Sequence, residues 1–199
     1  MFLRFLCAAT LACACGAAQA AHDIDPARVS DSKVFLQDIS KPGTAGKSFL
    51  AATIINAPLG KLCTAIQQYE KYPAFMPNTD KTVVSERGPG HAVIDVTLKL
   101  PMGKVKKYRL RMDPKSSAEE CRIAWKLVPW PGLKEEETIA DTTGYWLLTP
   151  AGGPGRTMVK YVVYTDPGAI PFGVGWIVDS LSKDSIPATL EALRKRAAL

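Results

Sequence analysis

Apolar and polar residues alternate along most of the chain between Lys81 and Gly168. In "HAVIDVTLKL" the apolar positions fall on one face of a strand: Ala92, Ile94, Val96, Leu98 and Leu100. The same period of two continues through "KVKKYRLRM", "CRIAWKLV", "TIADTTGYWLLTP" and "TMVKYVVYTDPG", with turn signals at each break. This period predicts half-buried strands, and the breaks leave no room for crossover helices. The sequence therefore predicts an antiparallel meander.

Helical periodicity occurs on both sides of this meander. Near the N-terminal side, "SFLAATIINAP" predicts a first strand, and Leu59, Leu62, Cys63 and Ile66 then recur at helical spacing. The C-terminal segment, about 172–197, carries an apolar stripe formed by Val174, Ile177, Val178, Leu181, Ile186, Leu190 and Leu193. Pro187 marks either a kink in this helix or the first turn of a second segment.

The stretch "YEKYPAFMPN", residues 69–78, is rich in aromatic and apolar side chains. Pro73 and Pro77 prevent it from continuing the preceding helix, because each restricts the residue before it to extended or turn geometry. Two explanations remain open for so much apolar surface at a turn. The segment either fills a corner of the core or covers an interior space.

A single long sheet must bury one of its faces, and the C-terminal helix is the large apolar element left to cover it. The sequence therefore predicts an α+β protein with a helix-grip fold. In that fold a curved antiparallel sheet wraps around a long C-terminal helix, with a short helical segment after the first strand. A strongly twisted sheet around one helix leaves a cavity between them.

Residues 1–21 have the pattern of a secretory signal peptide: Arg4, a short apolar run, and "AQA" at residues 18–20. We therefore expect export to the periplasm or secretion of the mature chain. Residues 22–46 form a polar N-terminal extension, which adds at most a short edge strand around Val34–Leu36. The ligand-binding domain is expected to span residues 47–199.

Export leaves Cys63 and Cys121 in the mature chain. They form a disulfide or remain buried thiols, and the sequence leaves both open. Together with His22 and His91 they show no metal-ligand spacing, so we expect neither metal nor cofactor. The formal net charge of +6 is modest and scattered. We expect no nucleic-acid partner, whereas attraction to anionic lipid headgroups remains open.

Two segments resemble a known group of proteins. "INAPLGKLCTAIQQYEKYPAFMPN" is similar to an alanine-proline helix start followed by a tyrosine-proline-phenylalanine-proline turn. "GYWLLTPAGGPGRTMVKYVVYTDPGAIP" is similar to a glycine-x-tryptophan strand, a glycine-rich turn and a final strand that leads into a helix. These motifs resemble the START-like, or Bet v 1-like, superfamily (SRPBCC), especially its bacterial polyketide cyclase/dehydrase and coenzyme-Q-binding-like branch. The resemblance covers roughly residues 47 to 195.

Aromatic residues provide the candidate ligand site. The resemblance implies that Tyr72, Phe75 and Met76 line or gate a cavity mouth, the alternative being that they fill a corner of the core. Trp125, Trp146 and Tyr161 occupy apolar-face positions of three consecutive strands and predict an aromatic wall. Tyr108 and Trp176 complete the predicted site, and Arg109 is a candidate polar anchor for a carboxylate or phosphate.

The sequence names no convincing catalytic residue. His91 lies beside a turn, and Asp95 has the parity opposite to Ile94 and Val96. Trp130, in the loop "PWPG", is either an exposed lid or a buried plug. The favoured function is that of an exported protein that binds a lipid, isoprenoid or polyketide-like ligand without catalysis. The alternatives are a polyketide cyclase or dehydratase and an interaction protein with a filled core. A transient contact with a membrane or donor protein, the ligand's identity and the oligomeric state remain open.

Overall fold

The computed structural model describes residues 24–168 and 175–198, with the side chains of Met102 and residues 175–182 left out. The predicted signal peptide, residues 1–21, lies outside this part of the chain. None of the described helices has the length and hydrophobicity needed to span a bilayer.

The described residues form one antiparallel sheet of eight strands in the order β1-β2-β8-β7-β6-β5-β4-β3. The strands are β1 (Phe35–Asp38), β2 (Lys47–Ile55), β3 (Thr79–Gly88), β4 (His91–Lys99), β5 (Val105–Ser116), β6 (Cys121–Val128), β7 (Asp141–Pro150) and β8 (Thr157–Asp166). Strands β3 to β8 form the predicted meander. The first two strands then pair against β8, so β1 and β3 are the sheet edges. Strand β1 comes from the segment predicted as an N-terminal extension.

Two α-helices and a 3-10 helix cover the sheet. Helix α1 (Leu59–Gln67) begins directly after Pro58, and the 3-10 helix Tyr69–Ala74 follows it. Helix α2 (Gly175–Ala197) contains Pro187, so the two predicted C-terminal halves form one helix. The described half of α2 packs against α1 and β2, with Ile186, Leu190 and Leu193 buried. The predicted helix-grip arrangement of one curved sheet, a short helix and a C-terminal helix is therefore confirmed.

A disulfide between Cys63 and Cys121 joins α1 to β6, with a Cα–Cα distance of 6.1 Å. Both cysteines are buried in the hydrophobic core. The alternative left open by the sequence is therefore settled in favour of pairing. The bond fixes the short helix against the middle of the sheet.

The antiparallel order places functionally different segments at opposite ends of the sheet. Strands β4, β6 and β8 finish at one end, which we call the loop end. The loops 100–104 and 129–140 lie there, and the chain leaves β8 from this end towards α2. Helix α1 follows the last residue of β2 and lies at the opposite end.

Candidate functional site

An aromatic wall lies on the inner face of the sheet. Trp146 and Tyr161 are direct partners across β7 and β8, with ring centroids 4.4 Å apart. Trp125 stacks on the same tyrosine at 5.4 Å and an interplanar angle of 25°. Trp125 and Trp146 are only 6% and 3% exposed, whereas Tyr161 is half-buried. The two indoles therefore support Tyr161, which keeps accessible surface.

The stretch "YEKYPAFMPN" contains both anchoring and partly accessible residues. Tyr72 makes edge-to-face contacts with Tyr69 and Phe75, at centroid distances of 5.7 and 5.6 Å. Its hydroxyl donates a hydrogen bond to the carbonyl oxygen of Ile66 at 2.7 Å. Tyr69 and Tyr72 are buried, whereas Phe75 and Met76 are half-buried and pack against the core. The segment is fixed by its tyrosines, and its last apolar residues remain partly accessible.

Tyr108 lies on the same inner face, on β5 opposite Val96 of β4. It is half-buried and packs against the hydrophobic core, as Tyr161 does. Neither phenol hydroxyl has a hydrogen-bond partner among the described residues. Desolvation by burial raises the pKa of Tyr108 and of Tyr161 above the usual value of 10, and the neighbouring Tyr108 raises that of Tyr161 further. Both groups are therefore neutral hydrogen-bond donors at physiological pH.

Burial raises the pKa of Tyr72 well above 10, and its neighbours Tyr69, Tyr161 and Tyr108 add to the effect. Three of the predicted site residues, Tyr72, Tyr108 and Tyr161, belong to or pack against the same hydrophobic core.

Three polar side-chain atoms of the described residues are buried without a hydrogen-bond partner. They are the hydroxyl of Tyr69, Oγ1 of Thr82 and Nε of Arg194. Burial raises the pKa of Tyr69 to about 12. Sequence reasoning did not identify these residues, because hydrogen-bond satisfaction depends on every neighbouring element and not on local pattern.

Arg109 lies on the opposite face of β5 from Tyr108. Its Nε and Nη2 donate to the two carboxylate oxygens of Asp95 at 2.6 and 2.9 Å, across the β4–β5 pair. The hydrogen bonds with Asp95 raise the pKa of Arg109. Its guanidinium also lies 5.1 Å from the centre of the Trp130 ring. The predicted polar anchor therefore points away from the tyrosines, and Asp95 faces outward as its parity predicted.

Trp130 is half-buried at the loop end. It lines a crevice of about 600 Å³ with Arg109 and with apolar residues that include Leu127, Leu133 and Ile139. Lys106 holds the loop that forms this crevice, because its Nζ donates to the carbonyl oxygens of Glu136 at 3.0 Å and Thr138 at 2.5 Å. The loop 129–140 is thus tied to the start of β5.

Acid–base groups are scarce inside the described part of the protein. Its buried polar or charged residues are four threonines, Thr53, Thr82, Thr142 and Thr157. Asp141 is exposed, and His91 lies beside a turn, 3.1 Å from Glu86. Within residues 24–168 and 175–198, no cluster of His, Cys, Asp and Glu is arranged to hold a metal ion. The side chain of Trp176, the remaining predicted site residue, lies outside the described part.

This geometry matches solved structures of one superfamily. A STAR-related lipid transfer protein from Xanthomonas axonopodis superposes with a TM-score of 0.73 at 15% identity, over 84% of this chain and 94% of that one. Human StAR-related lipid transfer protein 5 superposes with a TM-score of 0.71 at 14% identity, over 83% of this chain and 82% of that one. The Zhui aromatase/cyclase from Streptomyces sp. R1128 superposes with a TM-score of 0.62 at 14% identity, over 82% of this chain and 94% of that one.

No family model matches the chain, and no curated protein matches it. At identities near 15%, the structural likeness concerns the fold. The chain therefore has a START-like fold, as its motifs predicted.

Proposed function

We propose that this chain is an exported protein that binds a hydrophobic small molecule in its interior without transforming it. The observation that carries the proposal is the inner face of the sheet. It is almost wholly apolar and buried, yet Tyr108 and Tyr161 keep accessible surface there, as do Phe75 and Met76, which pack against the same core from the segment before β3. Lipid transfer is named for two of the structural relatives, which supports a lipid-like ligand.

Apolar burial would supply the binding energy. Removing roughly 300 Å² of ligand surface from water at about 25 cal/mol per Å² contributes about 7 kcal/mol before the losses of ligand freedom are subtracted. A binding protein needs no more than this and a route for exchange. The loop end, with the 129–140 loop held by Lys106, is the route that we propose.

The competing function is that of a cyclase or dehydratase, because an aromatase/cyclase is among the structural relatives. Such an enzyme needs an acid or base whose pKa is matched to its working pH. The titratable groups on the described inner wall are phenols whose pKa values are raised by burial, which suits hydrogen bonding better than proton abstraction. This favours binding over catalysis.

Export is supported by two independent features. Residues 1–21 have the composition of a signal peptide. The disulfide Cys63–Cys121 is the kind of bond that persists in oxidising compartments and is rare in the cytosol. These features support our proposal that the mature protein resides in the periplasm or outside the cell.

We further propose that the outer face of β3–β5 docks transiently on an anionic bilayer. The exposed large hydrophobic residues of the described chain are Val83 at 42% and Val105 at 45%, both on the outer face of the sheet. Lys81 and Lys107 stand in one row of that face, each two positions from one of these valines. Neither lysine forms an ion pair within the described residues. Exposed apolar groups flanked by lysines complement a negatively charged membrane surface.

Vesicle flotation tests this docking. The mature protein should bind vesicles of phosphatidylcholine with one-third phosphatidylglycerol, and binding should fall at high salt. Lys81→Glu with Lys107→Glu should abolish it, whereas Lys61→Glu with Lys115→Glu, an equal charge change away from this surface, should weaken it far less. Equal loss in both variants would indicate general charge attraction and contradict a specific docking surface.

Native mass spectrometry of the mature protein purified from its own cell envelope tests the main proposal, followed by organic extraction. A one-to-one apolar ligand released intact is the expected result. Recovery of a chemically altered product after incubation with that ligand would identify an enzyme instead. A bare protein that also fails to bind a panel of lipids would favour a filled core.

A further inference from the structure

We propose that the crevice between α1 and the end of α2 is a docking surface for an acidic segment of a partner protein. We call it the helix crevice, and the residues that line it include Lys61, Thr64, Ala65, Gln68, Arg196 and Ala197. Helix α1 lies at the end of the sheet opposite the loop end. The inference therefore goes beyond the proposed function and does not depend on ligand binding.

Two helices form the helix crevice, which has a volume of about 460 Å³. Its α1 residues stand in one row along the helix surface, at the spacing i, i+3, i+4 and i+7: Lys61, Thr64, Ala65 and Gln68. Packing of α2 against α1 brings Arg196 and Ala197 beside this row. Ala65 and Ala197 are buried and form an apolar floor, whereas Lys61 and Thr64 are exposed at the rim.

Arg196 is held in place before any partner arrives. Its Nη2 donates to Oε1 of Gln68 at 2.5 Å, and its guanidinium carbon lies 4.9 Å from the centre of the Phe75 ring. These two contacts come from α1 and from the segment that follows it, so they fix the half-buried guanidinium between them. A guanidinium that is already oriented loses less freedom when it binds a carboxylate.

The polar groups that remain free in the helix crevice favour an anion. Oε1 of Gln68 accepts from Arg196, so the amide nitrogen of Gln68 is left to donate. The ammonium group of Lys61 and the Nε and Nη1 of Arg196 have no partner within residues 24–168 and 175–198. No acidic side chain of this part of the chain lines the crevice. Two cations without a counter-charge complement a partner that carries carboxylates.

The shape and composition of the helix crevice favour a protein segment over a bilayer or a single small ion. The exposed large hydrophobic residues of the described chain are Val83 and Val105, both on the sheet, so the crevice has no side chain to insert among lipids. Lys61 is exposed, and an isolated ion beside it would stay hydrated. A peptide can place separate carboxylates against Lys61 and Arg196 and a small apolar side chain on the alanine floor, so that several weak contacts act together.

The experiment titrates the nitrogen-15-labelled mature protein with three synthetic peptides at low ionic strength. The first peptide alternates glutamate and alanine, and the other two have glutamine or lysine in place of each glutamate. The glutamate peptide should shift the backbone amide resonances of Lys61, Thr64 and Ala197 and bind about 10-fold more tightly than the glutamine peptide. The lysine peptide should leave these resonances unchanged. Added salt should weaken the binding of the glutamate peptide.

Charge-removing variants assign the binding to its residues. Lys61→Gln should weaken binding of the glutamate peptide about 3-fold, and Lys61→Gln with Arg196→Gln about 10-fold or more. Because Lys61 is exposed, the single variant should keep its fold, and thermal unfolding checks the double variant. The matched control is Lys81→Gln with Lys107→Gln, an equal loss of charge on the outer face of the sheet, which should leave peptide binding within about 2-fold.

Four results would overturn the inference. Equal weakening by the two double variants would indicate general charge attraction. Sodium phosphate that produces the same resonance shifts as the peptide at equal concentration would identify a site for small anions. Vesicles of phosphatidylglycerol that bind through Lys61 and Arg196 would identify a membrane contact. Absence of shifts with the glutamate peptide would show that the helix crevice binds no acidic segment, and the proposed binding of a hydrophobic ligand would be untouched.

Discussion

The indole of Trp125 stacks on the phenol ring of Tyr161 although the strand β7 runs between their two strands. The residue of β7 opposite Trp125 is Gly144, the glycine of "GYW". A Cβ at Gly144 would overlap the carbonyl oxygen of Val162 and lie 2.8 Å from Cη2 of Trp125. Because Gly144 has no side chain, the indole of Trp125 can extend over β7 and reach Tyr161. This glycine makes the aromatic wall continuous.

We expect Gly144→Ala to destabilise the protein by about 2–4 kcal/mol, because the added methyl group overpacks a buried contact and forces Trp125 aside. Urea unfolding followed by tryptophan fluorescence measures this change. Gly60→Ala is the control: Gly60 is exposed in α1 with nothing near a new Cβ. That variant should be neutral or stabilised by up to about 1 kcal/mol. A similar change in the free energy of unfolding for Gly144→Ala and Gly60→Ala would contradict the close packing of the Trp125 indole over Gly144.

The disulfide is expected to be a large contributor to stability. The sequence separation of 58 residues between Cys63 and Cys121 corresponds to a loop-closure contribution of about 4 kcal/mol. The double variant Cys63→Ser, Cys121→Ser should lose about that amount of the free energy of unfolding in a urea titration. Because both cysteines are buried, mild reductant should leave the native protein intact and act only once it unfolds. Rapid reduction under native conditions would show that α1 separates from β6 more easily than the packing suggests.

Removing the side-chain hydroxyl should have opposite effects on stability at the neighbouring residues Tyr69 and Tyr72. Tyr72→Phe loses the bond to Ile66 and should destabilise the protein by about 1 kcal/mol. Tyr69→Phe removes a buried hydroxyl that has no described partner, so stability should be unchanged or rise by about 1 kcal/mol. Chemical denaturation of the two variants side by side measures the contrast. A clear loss in Tyr69→Phe would reveal a partner for that hydroxyl.

Stability should fall at alkaline pH. Burial raises the pKa of Tyr69 to about 12 and also raises those of Tyr72, Tyr108 and Tyr161. In the unfolded chain these phenols ionise near 10, so the unfolded state loses protons first as the pH rises. The tyrosine contribution is thus fully present below about pH 10 and declines from there through pH 12. Urea midpoints between pH 8 and 11.5 measure the decline, which should be shallower in Tyr69→Phe. If the urea midpoint of Tyr69→Phe fell as steeply with pH as that of the wild type, ionisation of Tyr69 would not be a cause of the alkaline loss of stability.

Lys106→Met should speed ligand release. Its ammonium group holds the 129–140 loop through Glu136 and Thr138, and the methionine keeps the apolar stem but donates no hydrogen bond. We expect dissociation several-fold faster in stopped-flow measurements, with stability changed by less than about 1 kcal/mol. Lys104→Met, an exposed lysine two residues away, should leave the rate unchanged. Equal rates in both variants would mean that exchange does not pass this loop.

Much of the fold was predictable because strands and helices produce a regular local spacing of apolar residues along the chain. The alternation in "HAVIDVTLKL" became β4, and the spacing of Leu62 and Ile66 became the buried side of α1. Parity alone also placed Asp95 on the outer face. Each of these inferences needs only the neighbours of a residue along the chain.

The sequence by itself therefore determined the main strands and helices, their order and the face of each strand that is buried. The tertiary structure decided three other matters: that Cys63 meets Cys121, that Trp125 stacks on Tyr161 across β7, and that the hydroxyls of Tyr108 and Tyr161 have no hydrogen-bond partner among the described residues. The physical reason is sequence separation. Whether two side chains meet, and whether a buried hydroxyl finds a partner, depends on how the sheet curves and how helices dock on it, and no local pattern encodes that arrangement.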